Sequence, residues 1–199
     1  MSDPSPEPRF TLFGESRSAS RPEPGLYVVA TPIGNLSDIT LRALQIIAGA
    51  DRLACEDTRV TGKLLSRFGI ERRMSAYHDH SSSEEGDRLI AEVQAGGSLA
   101  LVSDAGTPLV SDPGYRLVRA CQEAQVNVVP IPGASALLAA LAAAGQPSDR
   151  LLFEGFMPAK GAPRQQAIAR LAALSVTSII YEAAHRVLSF LETLKELVE

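Results

Sequence analysis

Cysteine is scarce in this sequence, and so are net positive charge and long apolar runs. The two cysteines, Cys55 and Cys121, lie far apart among apolar neighbours. That spacing argues against a disulfide framework or a cysteine-rich metal knuckle and for reduced core residues in a cytoplasmic protein. The formal net charge is −4, so no global positive field recruits nucleic acid, and any such contact needs a local basic patch. The longest apolar run, Ala134 to Ala144, is too short to span a bilayer and reads as a buried, Ala-rich helix. Three signatures are also missing: G-x-G-x-x-G after a strand, G-x-x-x-x-G-K-[ST], and G-x-S-x-G. A dinucleotide site, a P-loop and a serine nucleophile elbow are therefore unsupported.

What is present suits a core-forming globular protein of one large or two small domains: 199 residues, 45% hydrophobic and 21% charged. Residues 1–24 are rich in Pro, Ser, Glu and Arg and read as a disordered tail, not a signal peptide. Beyond them, apolar periodicity alternates between strand and helix. Strands are expected at Leu26–Ala30, Arg52–Cys55, Met74–Tyr77, Leu99–Val102 and Asn127–Ile131. Helices are expected at Leu41–Ala48, at Val60–Phe68 with Val60, Leu64 and Phe68 on one face, and from Ser83 to Gly96-Gly97. Asp112-Pro113 reads as the N-cap and first residue of a helix reaching Ala124. This alternation predicts an α/β fold with a mostly parallel N-terminal sheet, spanning residues 25–132. Residues 133–199 read as a second α/β domain with strands at Leu151–Phe153 and Ser178–Tyr181 and helices at Gln165–Leu174 and Arg186–Val198. The chain stops inside a helical pattern, so this second domain is expected to be incomplete.

Three strand ends run into Pro/Gly turns: Thr31-Pro32-Ile33-Gly34-Asn35, Ser103-Asp104-Ala105-Gly106-Thr107-Pro108 and Pro132-Gly133-Ala134-Ser135. In open α/β sheets, ligands bind beyond the carboxyl ends of the strands, and such turns make rigid, backbone-lined walls. His78, Asp79 and His80 cluster, but no further His or Cys supports metal ligation, so no metal is expected.

The segments TPIGNLSDIT, CEDTR, SDAGTPLVSDPG, PIPGASALLAAL, FEGFMPAK and YEAAHR together resemble the ribosomal RNA small subunit methyltransferase I family, within the tetrapyrrole-methylase-like superfamily. The resemblance covers residues 25 to 199 in order. It implies two α/β domains with S-adenosyl-L-methionine between them, 2'-O-methylation of a cytidine ribose in 16S rRNA, and a homodimer. It also implies a cofactor wall of Pro32, Gly34, Thr107, Pro108, Val110, Ser135, Ala136 and Phe153. Tetrapyrrole-methylating relatives carry Gly-Asp-Pro where this chain has Gly106-Thr107-Pro108, which favours the RNA branch. The alternatives are a tetrapyrrole C-methyltransferase and a non-catalytic ribosome-binding module.

A ribose hydroxyl is a poor nucleophile and benefits from a base or a polarising cation. Glu56, Asp57, Arg59, Glu182 and His185 supply the candidates, although Asp57 is equally well placed to cap the next helix. Arg59, Lys63 and Arg67 recur on one helix face, and Arg72 and Arg73 follow. With Lys160, Arg164 and Arg186 they form the expected RNA-binding set.

Overall fold

Strands and helices alternate from residue 25 onward, as the sequence predicts, but an unexpected element precedes them. The computed structural model describes residues 7–78 and 81–198. Within the supposed tail, β1 (Arg9–Leu12) and β2 (Glu15–Ser18) pair antiparallel around a two-residue turn. Phe10 and Ala19 are buried and bring this hairpin into the core. Composition suggested disorder, but one buried aromatic and a closed ladder are enough to order this stretch.

The remaining elements follow in order. They are β3 (Gly25–Val29), α1 (Leu41–Gly49), β4 (Arg52–Cys55), α2 (Thr58–Arg67), β5 (Met74–Ala76), α3 (Ser83–Gln94), β6 (Ser98–Val102), α4 (Tyr115–Glu123) and β7 (Val128–Ile131). Then come α5 (Ala136–Ala144), β8 (Leu151–Phe156), α6 (Gly161–Ala172), β9 (Thr177–Tyr181) and α7 (Val187–Val198). The chain divides into two compact units, residues 1–135 and 136–199.

In the first unit, five strands form one parallel sheet in the order β5-β4-β6-β3-β7. Parallel strands need crossover helices, and these cover both faces. Tyr27, Val29, Leu53 and Cys55 point to one face, where α1, α2 and the hairpin pack through Leu44, Ile47, Leu64, Leu65, Phe68 and Phe10. Leu26, Val28, Leu99 and Leu101 point to the other, against Leu89, Ile90 and Val93 of α3 and Leu117 and Cys121 of α4.

Two details differ from expectation. The buried face of α2 consists of Thr61, Leu64, Leu65 and Phe68, while Val60 lies at its exposed edge, because positions four apart drift by about 40° around a helix. Helix α3 begins at Ser83 as expected, and Ser82 caps it by accepting from Glu85 N–H. Asp112 does not cap α4: Gly114 occupies the N-cap at φ 126, so the helix begins at Tyr115.

The second unit holds a two-stranded parallel sheet, β8 beside β9, with a register shift between Phe153 and Gly155. Its core is small: Met157, Ile168, Leu171 and Phe190. The Ala-rich helix α5 is not buried as expected. None of its residues is buried, and Leu138 is 60% exposed. Among the described residues, no helix is long and apolar enough to cross a membrane.

Candidate functional site

Four adjacent strands, β4, β6, β3 and β7, end side by side at one edge of the parallel sheet. The loops leaving the last three are the Pro/Gly turns picked out from the sequence. Thr31 and Gly106 pair across two of them, Thr31 N–H donating to Gly106 O at 2.8 Å and Gly106 N–H to Thr31 O at 3.1 Å. The buried Thr31 hydroxyl donates to Ser103 O at 3.2 Å. The third loop joins through the Thr107 hydroxyl, which donates to Ala134 O at 3.5 Å.

Close backbone approach explains the glycines. A Cβ on Gly106 (φ +81) would stand 3.3 Å from Ile33 Cγ2, and one on Gly133 would stand 2.9 Å from Ala30 Cβ. Pro32 and Pro108 are buried and stiffen their turns. Within the same loop Leu109 (φ 74) and Ser111 (φ 63) are left-handed. Branched or polar side chains adopt this region at a cost, and such outliers gather at functional sites. Sequence reasoning did not find them.

Thus Pro32, Gly34, Thr107, Pro108, Val110 and Ser135 lie on three loops whose backbones meet. Ala136 and Phe153 belong to the second unit. There the Phe153 ring sits edge-on to Tyr181 at 4.8 Å between centroids. The Tyr181 hydroxyl accepts from Leu137 N–H at 3.1 Å.

Beside the loop cluster, the ends of β4 and β6 bring carboxylates together. Asp57 N–H donates to Asp104 Oδ1 at 3.0 Å, and Asp104 N–H donates to Glu56 Oε2 at 3.3 Å. No spacing in the sequence connects residues so far apart, so Asp104 went unnoticed. Asp57 caps α2, accepting from Arg59 N–H at 2.8 Å, and the Arg59 guanidinium folds back to it at 2.6 Å. The Arg59 side chain and its backbone N–H hold the Asp57 carboxyl down to about 2. A carboxylate so acidic is a weak proton acceptor at neutral pH. Asp112 behaves oppositely: burial, and secondarily the nearby Asp104 charge, push its carboxyl up against a hydrogen bond with Ser103.

In the second unit Glu182 is tied down. Arg164 and Arg186 each contact it at 2.6 Å, and Ala183 N–H donates to it at 2.8 Å. Burial raises its carboxyl, but the Ala183 N–H and Arg186 outweigh that and the net direction is down. Arg164, expected on an exposed RNA-binding loop, is only 3% exposed. It sits in the first turns of α6, where its guanidinium is committed to Glu182, donates to Pro158 O at 2.9 Å and lies over the Phe190 ring. Arg164 is a buried structural cation, and Arg186 is held by the same carboxylate. His185 is exposed on a 3-10 turn (Ala184–Arg186), and Lys160 is exposed at the start of α6.

Arg59, Lys63 and Arg67 are exposed along α2, Arg73 is exposed beyond it, and Arg72 is half-buried. Desolvation pulls the Arg72 guanidinium below its usual range. Among the described residues, no group of His, Cys, Asp and Glu is arranged to hold a metal ion. Asp79 and His80 of the histidine cluster lie outside the described residues.

Residues 25–199 match the family Tetrapyrrole (Corrin/Porphyrin) Methylases. The chain belongs to this family. It is 54% identical to "Ribosomal RNA small subunit methyltransferase I" of Mesorhizobium japonicum over 93% of its own length and 63% of that protein. It is 52% identical to the Escherichia coli protein of the same name, over 89% of the chain and 62% of the relative. The chain therefore spans a little under two thirds of the length of these relatives. Among solved structures it resembles a diphthine synthase (TM-score 0.63, 18% identity, 80% of this chain and 64% of that one). It also resembles a cobalt precorrin-4 methyltransferase (TM-score 0.63, 15% identity, 86% of this chain and 74% of that one). At such low identity these two likenesses establish the fold alone.

Proposed function

We propose that this chain is the cofactor- and RNA-binding part of a cytoplasmic S-adenosyl-L-methionine-dependent methyltransferase. Its acceptor is the 2'-hydroxyl of a cytidine ribose in 16S rRNA of the small ribosomal subunit, and it works as a homodimer. The observation that carries this reading is the meeting of three Pro/Gly loops at the carboxyl ends of the adjacent strands β6, β3 and β7. The names of relatives more than 50% identical point to the ribosomal acceptor.

The residues fit such a cofactor. Glycines at 106 and 133 permit backbone approach, Pro32 and Pro108 hold the walls rigid, and Thr107, Val110 and Ser135 complete them. When bound, S-adenosylmethionine supplies an already activated methyl group. The chain's own contribution is then to position the acceptor and relieve its hydroxyl of a proton. Asp112, at the edge of the loop cluster and pushed up by burial, is a better proton acceptor than Asp57, which is engaged by Arg59. The exposed cations of α2 suit the phosphates that fix the RNA's register.

Titration calorimetry with the demethylated product, S-adenosylhomocysteine, should give one site per chain. Methyl transfer to small subunits from cells lacking the enzyme should incorporate one methyl per particle. Reversal of Arg59, Lys63 and Arg67 to Glu should weaken subunit binding and flatten its salt dependence while product binding survives. Product binding without transfer to subunits would reassign the acceptor.

A further inference from the structure

Among the described residues Phe13 is the most exposed large apolar side chain, at 95%. It occupies the turn between β1 and β2 with φ 51, followed by Gly14 with φ 82. Two positive φ values in a two-residue hairpin make a type I′ turn, whose first position favours Asn, Asp or Gly. A bulky aromatic there strains the backbone and leaves its ring in water. Neither the turn nor the core accounts for it.

The base beneath this ring is firmly held. Phe10 is buried under the hairpin, and Thr11 N–H donates to Phe68 O at 2.6 Å. That contact places the hairpin against the end of α2, next to Arg67, whose guanidinium lies 5.9 Å from the Phe68 ring centroid. The hairpin thus adjoins the basic face of α2. Between hairpin and α1 lies a groove of about 420 Å³, lined by Arg9, Ser16, Arg17, Ser18 and Gln45 beside Leu41. Arg9 Nε donates to Ser16 Oγ at 2.8 Å. Arg17 meets Glu15 at 3.2 Å, but both side chains are largely solvent-exposed, so the pair is weak and exchangeable.

We propose that the β1–β2 hairpin is an RNA-contact element, with Phe13 at its turn stacking on an unpaired base and Arg9 and Arg17 taking phosphates further along the strand. The inference rests on the RNA acceptor proposed above. The hairpin carries an exposed ring at its turn and guanidinium and hydroxyl donors along its strands, a combination that grips single-stranded RNA by stacking and charge. A protein partner would instead call for a contiguous apolar patch of several hundred Å².

The test uses the full-length protein and small ribosomal subunits. Phe13→Asn should weaken subunit affinity about tenfold, while the melting temperature stays level or rises, because Asn tolerates this backbone. Phe13→Trp should keep the affinity. Arg9→Glu with Arg17→Glu should lower affinity and reduce the salt slope by about 1 to 2. Product binding by calorimetry should be unchanged in all three. A photocrosslinker at position 13 should label 16S rRNA. Wild-type affinity in Phe13→Asn, or a crosslink to a ribosomal protein, overturns the hairpin assignment while leaving the acceptor intact. A wild-type enzyme that binds no subunits overturns both.

Discussion

Thr31 and Gly106 exchange both of their backbone hydrogen bonds, so the loops after β3 and β6 are tied by an isolated antiparallel bridge although their strands run parallel. The bridge fixes two of the three loops relative to each other. Gly106 makes it possible, with φ +81 and Ile33 Cγ2 close to where a Cβ would stand. Gly106→Ala should therefore cost about 1–2 kcal/mol of stability and weaken S-adenosylhomocysteine binding at least about tenfold. Thermal melts and calorimetry on the same preparation check both. An unchanged product affinity would mean that the bridge is unrelated to ligand binding.

Asp57 separates a capping role from a catalytic one. Asn caps a helix nearly as well as Asp, and Ala does not. Asp57→Asn should keep the melting temperature within about 1 °C, and Asp57→Ala should lower it by about 2–4 °C. Neither should abolish methyl transfer, since the Arg59-bound carboxylate titrates at about 2. That depressed value also has a sign in stability. The contribution is complete above the ordinary carboxylate range and is lost as pH falls toward 2. An acid unfolding arm that shifts in Asp57→Asn shows it directly.

The parallel sheet was legible because Leu26–Val29, Leu53–Cys55 and Leu99–Val102 are short apolar runs buried on both faces. The three loops were legible because Pro and Gly punctuate each strand end. What stayed hidden depends on contacts remote in sequence. Nothing near Arg164 signals Glu182 18 positions on, and nothing near Asp57 signals Asp104 47 positions on. The hairpin was missed because its strands are short and polar and its turn carries Phe13 where Asn is usual. The exposure of α5 was missed because an all-apolar helix shows no face; only the small core of Met157, Ile168, Leu171 and Phe190 reveals how little packing its unit offers.

Asp112 is raised, opposite in sense to Asp57. A carboxyl with a higher value folded than unfolded holds its proton more tightly in the native state, so its ionisation opposes folding at neutral pH. Half-exposed, it is partly screened, and the effect is small. Asp112→Asn should raise the melting temperature by about 1–2 °C at pH 7 and leave it unchanged at pH 3. If Asp112 also relieves the acceptor hydroxyl of its proton, the same variant loses kcat and the acid limb of the pH–rate profile while product affinity persists.

Cys55 and Cys121 are buried in opposite faces of the sheet. Burial pushes both thiols up, Cys121 to about 11. Thiolate is the reactive form, so native protein at pH 8 should resist alkylation, and both thiols should react once denaturant unfolds the chain. Stoichiometric labelling of the native protein within minutes would contradict the burial.

Arg164 and Glu182 form the most enclosed ion pair described here, with side chains 4% and 6% exposed. Removing one partner of such a pair leaves the other buried without compensation. Arg164→Met should therefore lower the melting temperature by about 5–10 °C. Glu182→Gln should cost less, because Gln still accepts from Ala183 N–H and the arginines. The double change Arg164→Met with Glu182→Leu should recover part of the loss, since no uncompensated Arg164–Glu182 charge remains, although Arg186 then loses its carboxylate. If Arg164 contacted RNA instead, Arg164→Met would weaken subunit binding at constant stability. Melting curves and subunit affinities measured side by side discriminate the two, and the burial of the guanidinium predicts that stability moves first.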